Sequence, residues 1–280
     1  MWVFAPRKTQ GALMQTVSLT LPIDTQDGPY LEESQAIACG ETLASQYQAG
    51  EPFPHIVIDN FLPEALAQSI LDQFPREQTS NEKVYERGYR GLHKRQISPH
   101  ACNRELREVF AFVNSAPVLL FLQKMTGIDG LIPDPYFNGG GFHETSRGGL
   151  LGVHSDFRIN KSMHLERRLN MIIYLNKDWQ PEYGGDLELW DTKMTKCLKK
   201  VAPIFNRCVV FNTDEDSNHG HPEPLNTPEG ITRKSMALYY YTASKRIYED
   251  IEVHKTNYKP RPRDKFSLRY LWERVRPNRG

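Results

Sequence analysis

The sequence predicts an α+β fold in which a double-stranded β-helix, or jelly roll, forms the core and N-terminal helices pack on it. Three observations predict this order. Apolar residues recur at helical spacing over much of 32–125. After Gly127 the texture turns to short β-branched and aromatic runs. Those runs are separated by Gly, Asn, Pro and Asp clusters instead of helix-length crossovers. Many short strands joined by turns build sandwiches and jelly rolls, not parallel sheets.

Residues 1–30 mix Pro, Gly, Gln and Thr without periodicity and read as an extended leader with no assigned function, within which Met14 is an alternative start. Residues 31–126 read as a helical region packing on the barrel. Its first helix, 32–48, ends at Ala49-Gly50, and the β-branched run Ile56-Val57-Ile58 predicts a strand. Leu66, Ile70, Leu71 and Phe74 then recur at helical spacing until Pro75 stops the helix. The stretch 80–98 is polar and rich in Arg and Tyr. A strongly apolar helical region over 105–125 is broken at Asn114-Ser115, ahead of Pro117. Strands are expected over 131–137, 150–156, 169–175, 187–190, 200–205, 208–211 and 233–242, which makes 127–250 the jelly-roll core. In the basic and aromatic segment 251–280, Phe266, Leu268, Tyr270, Leu271 and Trp272 are expected to pack on the barrel while the charges stay solvated.

A chain of 280 residues, 39% hydrophobic and 25% charged, can bury a core without staples. Its formal net charge of +1 creates no field that calls for nucleic acid or an anionic membrane, so neither is expected as a partner. The four cysteines, at 39, 102, 197 and 208, form no CxxC pair and read as buried thiols in a reducing compartment. The N-terminal apolar run is too short for a signal peptide and interior runs such as 117–122 are too short for a span, so a soluble, cytoplasmic protein is expected.

The chemistry starts at Gly152-Val153-His154-Ser155-Asp156. On a strand, residues i and i+2 face the same side roughly 6 to 7 Å apart, so His154 and Asp156 can converge on one ion. A third ligand from Ser217-Asn218-His219-Gly220-His221 completes the two-histidine, one-carboxylate set of non-haem Fe(II) oxygenases. His219 is the first choice and His221 the rival. On the strand opened by Thr232-Arg233-Lys234-Ser235, Arg233 and Ser235 share a face, and a planar guanidinium beside a hydroxyl suits bidentate capture of a carboxylate. Lys234 should point the other way. Asn170 and Tyr174 share a face of the preceding strand and suggest a lined pocket, with a core tyrosine whose hydroxyl reaches the edge as the alternative.

Taken in order, these pieces resemble the prolyl 4-hydroxylase-like group of Fe(II)/2-oxoglutarate dioxygenases. The matching stretches are 52–61, Gly139-Gly140-Gly141-Phe142-His143, Gly148-Gly149-Leu150 running into His154-Ser155-Asp156, Leu169-Asn170 into Tyr174-Leu175-Asn176 with Trp179, Gly184 to Trp190, His219-Gly220, and 233–241. The resemblance implies that His154, Asp156 and His219 hold iron, that Arg233 binds 2-oxoglutarate, and that Tyr174, with Ser235, Asn170 and Leu187, lines the cosubstrate pocket. The chain departs from the group in a longer segment between His219 and Arg233, containing His221, Pro222, Pro224, Pro228 and Gly230.

The implied cofactors are Fe(II), 2-oxoglutarate and O2, with ascorbate as an additional candidate. The implied reaction hydroxylates an unactivated C–H bond and releases succinate and CO2. The expected substrate is a small polar metabolite, an amino acid or a peptidyl residue. A cupin-like or zinc-dependent enzyme on a similar barrel is the alternative, but it leaves Arg233, Ser235 and Tyr174 without a task. The stretch 83–95 reads either as part of a lid, whose glycines, aromatics and cations would suit a polar or anionic substrate, or as a solvated loop.

Overall fold

The structure is a computed structural model that describes residues 16–77 and 82–243. The expected tail at 251–280 and the start at Met14 lie outside the described residues.

In chain order the described elements are β1 (Val17–Ser18), α1 (Glu33–Gln48), β2 (His55–Asp59), α2 (Glu64–Asp72), β3 (Glu82–Tyr85), β4 (Leu92–Ile97), α3 (Arg104–Val113), α4 (Ala116–Thr126), β5 (Ile132–Pro133), β6 (Gly141–His154), β7 (Ile159–Asn160), β8 (Leu165–Tyr174), β9 (Leu187–Trp190), β10 (Cys197–Val201), β11 (Cys208–Asn212), β12 (His219–His221) and β13 (Arg233–Ala243). The helix signals act locally as expected. Asn103 caps α3 by accepting from the Leu106 N–H at 2.9 Å, Pro117 opens α4, and Gly127 ends it in the left-handed conformation at φ 71°. Arg104–Thr126 taken together has the length and apolarity of a membrane span. It is instead a broken pair of core helices, with Val109, Phe110, Phe121 and Leu122 buried.

The strands pair in the order β1-β2-β11-β8-β13-β6-β12-β9-β10. The curl that turns this ribbon into a jelly roll comes from β6. Its first part, Gly141 to Thr145, pairs with β13, and its last part pairs with β12 through Leu151 and His154. One long strand thus serves two sheets, and the site forms where it leaves the second. The helices cover the outer face of the β2-β11-β8-β13 layer with Phe61, Phe121, Met171, Ile173, Val210 and Leu238 among the buried contacts. A smaller interior cluster of Phe53, Val57, Tyr174, Leu187, Leu189, Val209 and Phe211 fills the space between the sheets.

Some segments differ from expectation. Part of the leader is core: β1 pairs in parallel with β2, and Leu21 and Ile23 are buried. The region 31–126 carries the expected strand β2 into the main sheet, and to its helices it adds the β3–β4 hairpin. The polar stretch read as a lid or solvated loop is that hairpin, and β4 adds to the edge of β6. Its charges hid a strand because the alternation there is between solvent and the cavity, not between solvent and an apolar core. Over 131–137 only Ile132–Pro133 pairs as a strand, since Pro133 and Pro135 remove ladder donors.

Candidate active site

His154 ends β6, Asp156 follows two residues later, and His219 opens β12 directly across the ladder from His154. The ligand-capable atoms of these three side chains all lie within 4.8 Å of one another. His154 Nε2 is 3.8 Å from Asp156 Oδ1, and His219 Nε2 is 3.6 Å from Asp156 Oδ2. Both imidazoles are oriented from behind: Nδ1 of His154 meets the Gly152 carbonyl at 2.8 Å and Nδ1 of His219 meets the Ser217 carbonyl at 2.9 Å. With Nδ1–H donating to a carbonyl, each Nε2 turns its lone pair to the shared point. Phe211 packs edge-on to the His219 ring at 4.7 Å. Burial pushes the His219 pKa down to about 4, with the Asp156 charge opposing that shift, so the ring is a neutral donor at neutral pH.

Burial would raise the Asp156 carboxyl, but Arg167, His219, His154 and a hydrogen bond from Asn170 outweigh it and hold it below the usual range. Asn170 Nδ2 donates to Oδ2 at 2.7 Å, and Arg167 approaches the same oxygen at 3.0 Å. Arg167 also donates to Asn170 Oδ1 from Nε at 3.0 Å and from its terminal nitrogen at 2.6 Å, and it stacks 3.5 Å over the Tyr239 ring. The sequence reading had Asn170 lining a pocket but did not single out Arg167, which is only 1% exposed. Its one sequence signal was an Arg-Arg pair ahead of an apolar strand.

A narrow cavity runs from the triad past Ile172, Leu187 and Ala237 to Arg233 and Ser235. Arg233 is buried. Its Nε donates to the Gly185 carbonyl at 2.8 Å, a terminal nitrogen donates to Tyr174 Oη at 3.2 Å, and the guanidinium lies 4.9 Å from the centre of the Tyr174 ring. Gly185 sits at φ 75°, and a Cβ there would fall 2.5 Å from Leu225 and 3.1 Å from Arg233 Cδ, so only glycine lets the carbonyl seat the arginine. Lys234 faces outward as expected, toward Glu144 at 3.5 Å. Burial raises the Tyr174 pKa against the opposing pull of Arg233, which leaves a neutral hydroxyl.

His221, the rival ligand, stands outside the triad. It is buried in the wall of the narrow cavity, and neither ring nitrogen has a hydrogen-bond partner. Burial first, then repulsion from Arg233 and Lys94, keeps it neutral. The long connection between His221 and Arg233 is tied back to β6 by the Leu225 N–H on the Gly149 carbonyl at 3.0 Å and the Gly148 N–H on the Leu225 carbonyl at 2.8 Å.

Two nitrogen donors and one carboxylate brought this close are the donor set that an open, three-ligand iron centre would use. Residues 140–241 match the family model of the 2OG-Fe(II) oxygenase superfamily. That matched stretch contains the triad and Arg233. The chain is 29% identical to mouse prolyl 3-hydroxylase OGFOD1 over 201 residues, and these make up 69% of this chain and 34% of that one. It therefore spans about a third of that curated relative's length. Two solved structures share its fold. One is a Pseudomonas putida prolyl-4-hydroxylase (TM-score 0.52, 18% identity, covering 74% of this chain and 98% of that one). The other is a prolyl hydroxylase from Trichoplax adhaerens in complex with a hypoxia inducible factor peptide fragment (TM-score 0.53, 18% identity, covering 78% and 95%). The fold class is thus the prolyl 4-hydroxylase-like jelly roll, and Fe(II), 2-oxoglutarate and O2 are the superfamily's cofactors.

Proposed function

We propose that this chain hydroxylates an unactivated C–H bond of a small-molecule or peptidyl substrate, with His154, Asp156 and His219 holding Fe(II) and Arg233 holding 2-oxoglutarate. The observation that carries the reading is the placement of the triad and the buried Arg233 at two ends of one narrow cavity. Bound iron supplies the activation of O2 coupled to decarboxylation of the cosubstrate to succinate and CO2.

The chain's own residues supply the rest. Asp156, His154 and His219 would hold the metal by three donors and leave it open to the cosubstrate and O2. Arg233, aimed by Gly185 and Tyr174, meets no side-chain carboxylate within ion-pair distance among the described residues, and a dicarboxylate whose far end reaches it satisfies that buried charge. Ser235 adds a hydroxyl on the same face, and Leu187 narrows the passage. A zinc hydrolase on the same barrel gives the arginine no task. The four unpaired thiols support a reducing compartment.

The test is anaerobic loading of the purified protein with Fe(II) and 2-oxoglutarate, followed by O2 and measurement of succinate. Iron-dependent succinate release, absent with zinc, is the expected result. Full activity with zinc and no consumption of 2-oxoglutarate overturns the reading.

A further inference from the structure

A second, wider cavity opens in front of the triad. Its volume is about 570 Å³, within the range of small-molecule sites, and its wall includes His154, Asp156, Phe157, Tyr85, Tyr89 and Tyr239. The tip of the β3–β4 hairpin closes one side. Tyr89 packs on Gly152, where a Cβ would fall 2.3 Å from the ring, and Tyr89 Oη accepts from the Val153 N–H at 3.1 Å.

The charges on this wall are one-sided. Lys83, Arg90, Lys94 and Arg167 line it, and the acid among its residues is Asp156, which Arg167 engages and which the proposed metal would take. Lys94 stands apart from the other three. Lys83 and Arg90 are solvated, and Arg167 has a carboxylate partner, whereas Lys94 is 7% exposed and makes no ion pair among the described residues. Its ammonium donates to His143 Nδ1 at 2.7 Å. His143 Nε2 is committed to the Gly139 carbonyl at 2.8 Å, so Nδ1 is the acceptor. The Tyr85 ring covers Lys94 at 4.8 Å. Two ammonium protons remain for the cavity side. A buried cation without a counter-charge is costly, and its surroundings only add to the cost: burial, Arg233 and Lys83 together push its pKa down to about 7.

Lys94 and Arg233 flank Thr145 across three adjacent strands, so two cations share one face of the sheet. On the reading above, Arg233 takes the distal carboxylate of 2-oxoglutarate. Lys94 borders both cavities, and with Arg233 assigned to the cosubstrate in the narrow one, the wide cavity is the side from which a second anion would reach the ammonium. We propose that the primary substrate is a small molecule with a free carboxylate, which Lys94 anchors beside the metal triad. One buried ammonium neutralises one charge, which suits a carboxylate better than a phosphate. A peptide backbone crossing the cavity would offer Lys94 only a neutral carbonyl.

This inference rests on the oxygenase reading, and the experiment separates the two. Fe(II) and 2-oxoglutarate binding are measured first, anaerobically. The loaded protein is then challenged with free amino acids and hydroxy acids, each beside its carboxamide, and with end-blocked neutral and acidic peptides, reading calorimetric affinity and stimulated succinate release. At least one free acid is expected to exceed its carboxamide by about tenfold or more. Lys94→Met should erase that preference while changing 2-oxoglutarate affinity by less than about twofold. Intact binding of 2-oxoglutarate also certifies that the variant is folded. Failure to bind iron and 2-oxoglutarate sinks the oxygenase reading itself. Binding of both with no acid above its amide, with a blocked peptide preferred, or with Lys94→Met weakening 2-oxoglutarate instead, overturns the assignment of Lys94 alone.

Discussion

Arg167 approaches Asp156 Oδ2 at 3.0 Å while the same guanidinium holds Asn170 Oδ1, so the candidate iron carboxylate is gripped from behind by two side chains of one strand. This explains how a half-buried carboxylate stays ionised before any metal arrives. It also makes Arg167 a positioning residue for the metal site. Arg167→Met removes one member of a buried pair and lets burial raise the Asp156 pKa. Loss of such outer partners typically lowers metal affinity about 10- to 100-fold. Anaerobic Fe(II) titration should show this loss, with Arg167→Lys recovering part of it. Unchanged iron affinity in Arg167→Met would reduce Arg167 to a packing role.

The histidine pair on β12 separates by the same logic. His219 faces His154 across the ladder, with ring centres 4.7 Å apart, whereas His221 pairs opposite Leu151 after a register shift. His219→Ala should therefore bind little iron and release no succinate. His221→Val should keep iron, and it should stabilise the metal-free protein by about 1 kcal/mol or more, because it deletes a buried imidazole without partners. Iron titration and urea unfolding of both variants check this. Iron loss in His221→Val with retention in His219→Ala would reassign the ligand.

Much of this site was legible because strand periodicity is strict. His154 and Asp156 at i and i+2, Arg233 and Ser235 on one face, and Lys234 on the other all follow from a period of two. Arg167 broke that rule. By parity it belongs with Leu169 on the core face, but the pairing of β8 with β13 runs Tyr240 to Leu169 and Tyr241 to Arg167, leaving Arg168 as an extra residue. That bulge turns Arg167 onto the side of Asn170. Lys94 was hidden for a different reason. Its burial depends on Tyr85 and His143, which meet it only after the hairpin docks on β6, and no local pattern encodes that docking.

Acid should loosen the fold through His55. This ring is 3% exposed, and its Nδ1 meets the Phe53 carbonyl at 2.8 Å. Burial pushes its pKa down to about 4. A depressed folded value means the unfolded chain binds the proton more tightly, so the stabilising contribution is complete above the unfolded value near 6.5 and is lost as pH falls toward 4. Between pH 7.5 and pH 5 the loss from this residue is about 2 kcal/mol. His55→Leu should be less stable than wild type at pH 7.5, because the carbonyl loses its donor, yet should show a shallower decline on acidification. Urea unfolding at several pH values measures the slopes, and identical slopes would show that His55 does not carry the effect.

The cosubstrate anchor gives the sharpest test, because Arg233 and Lys234 are neighbours whose side chains point to opposite faces. Arg233 is buried with Tyr174 and the Gly185 carbonyl around it, and Lys234 lies on the Glu144 side. Removing one partner of a buried charge pair costs about 3 to 5 kcal/mol. At about 1.4 kcal/mol per factor of ten, Arg233→Ala should weaken 2-oxoglutarate by roughly two to three orders of magnitude. Arg233→Lys keeps the charge, loses the planar fork, and should fall between wild type and the alanine variant. Tyr174→Phe removes only the hydroxyl that accepts from Arg233 at 3.2 Å, and so should cost about tenfold or less. Iron affinity without cosubstrate should hold in all three, since none of these groups lies in the triad. Anaerobic calorimetry with iron bound reads each value. A large loss in Lys234→Ala with wild-type binding in Arg233→Ala would place the anchor on the wrong face and withdraw the assignment.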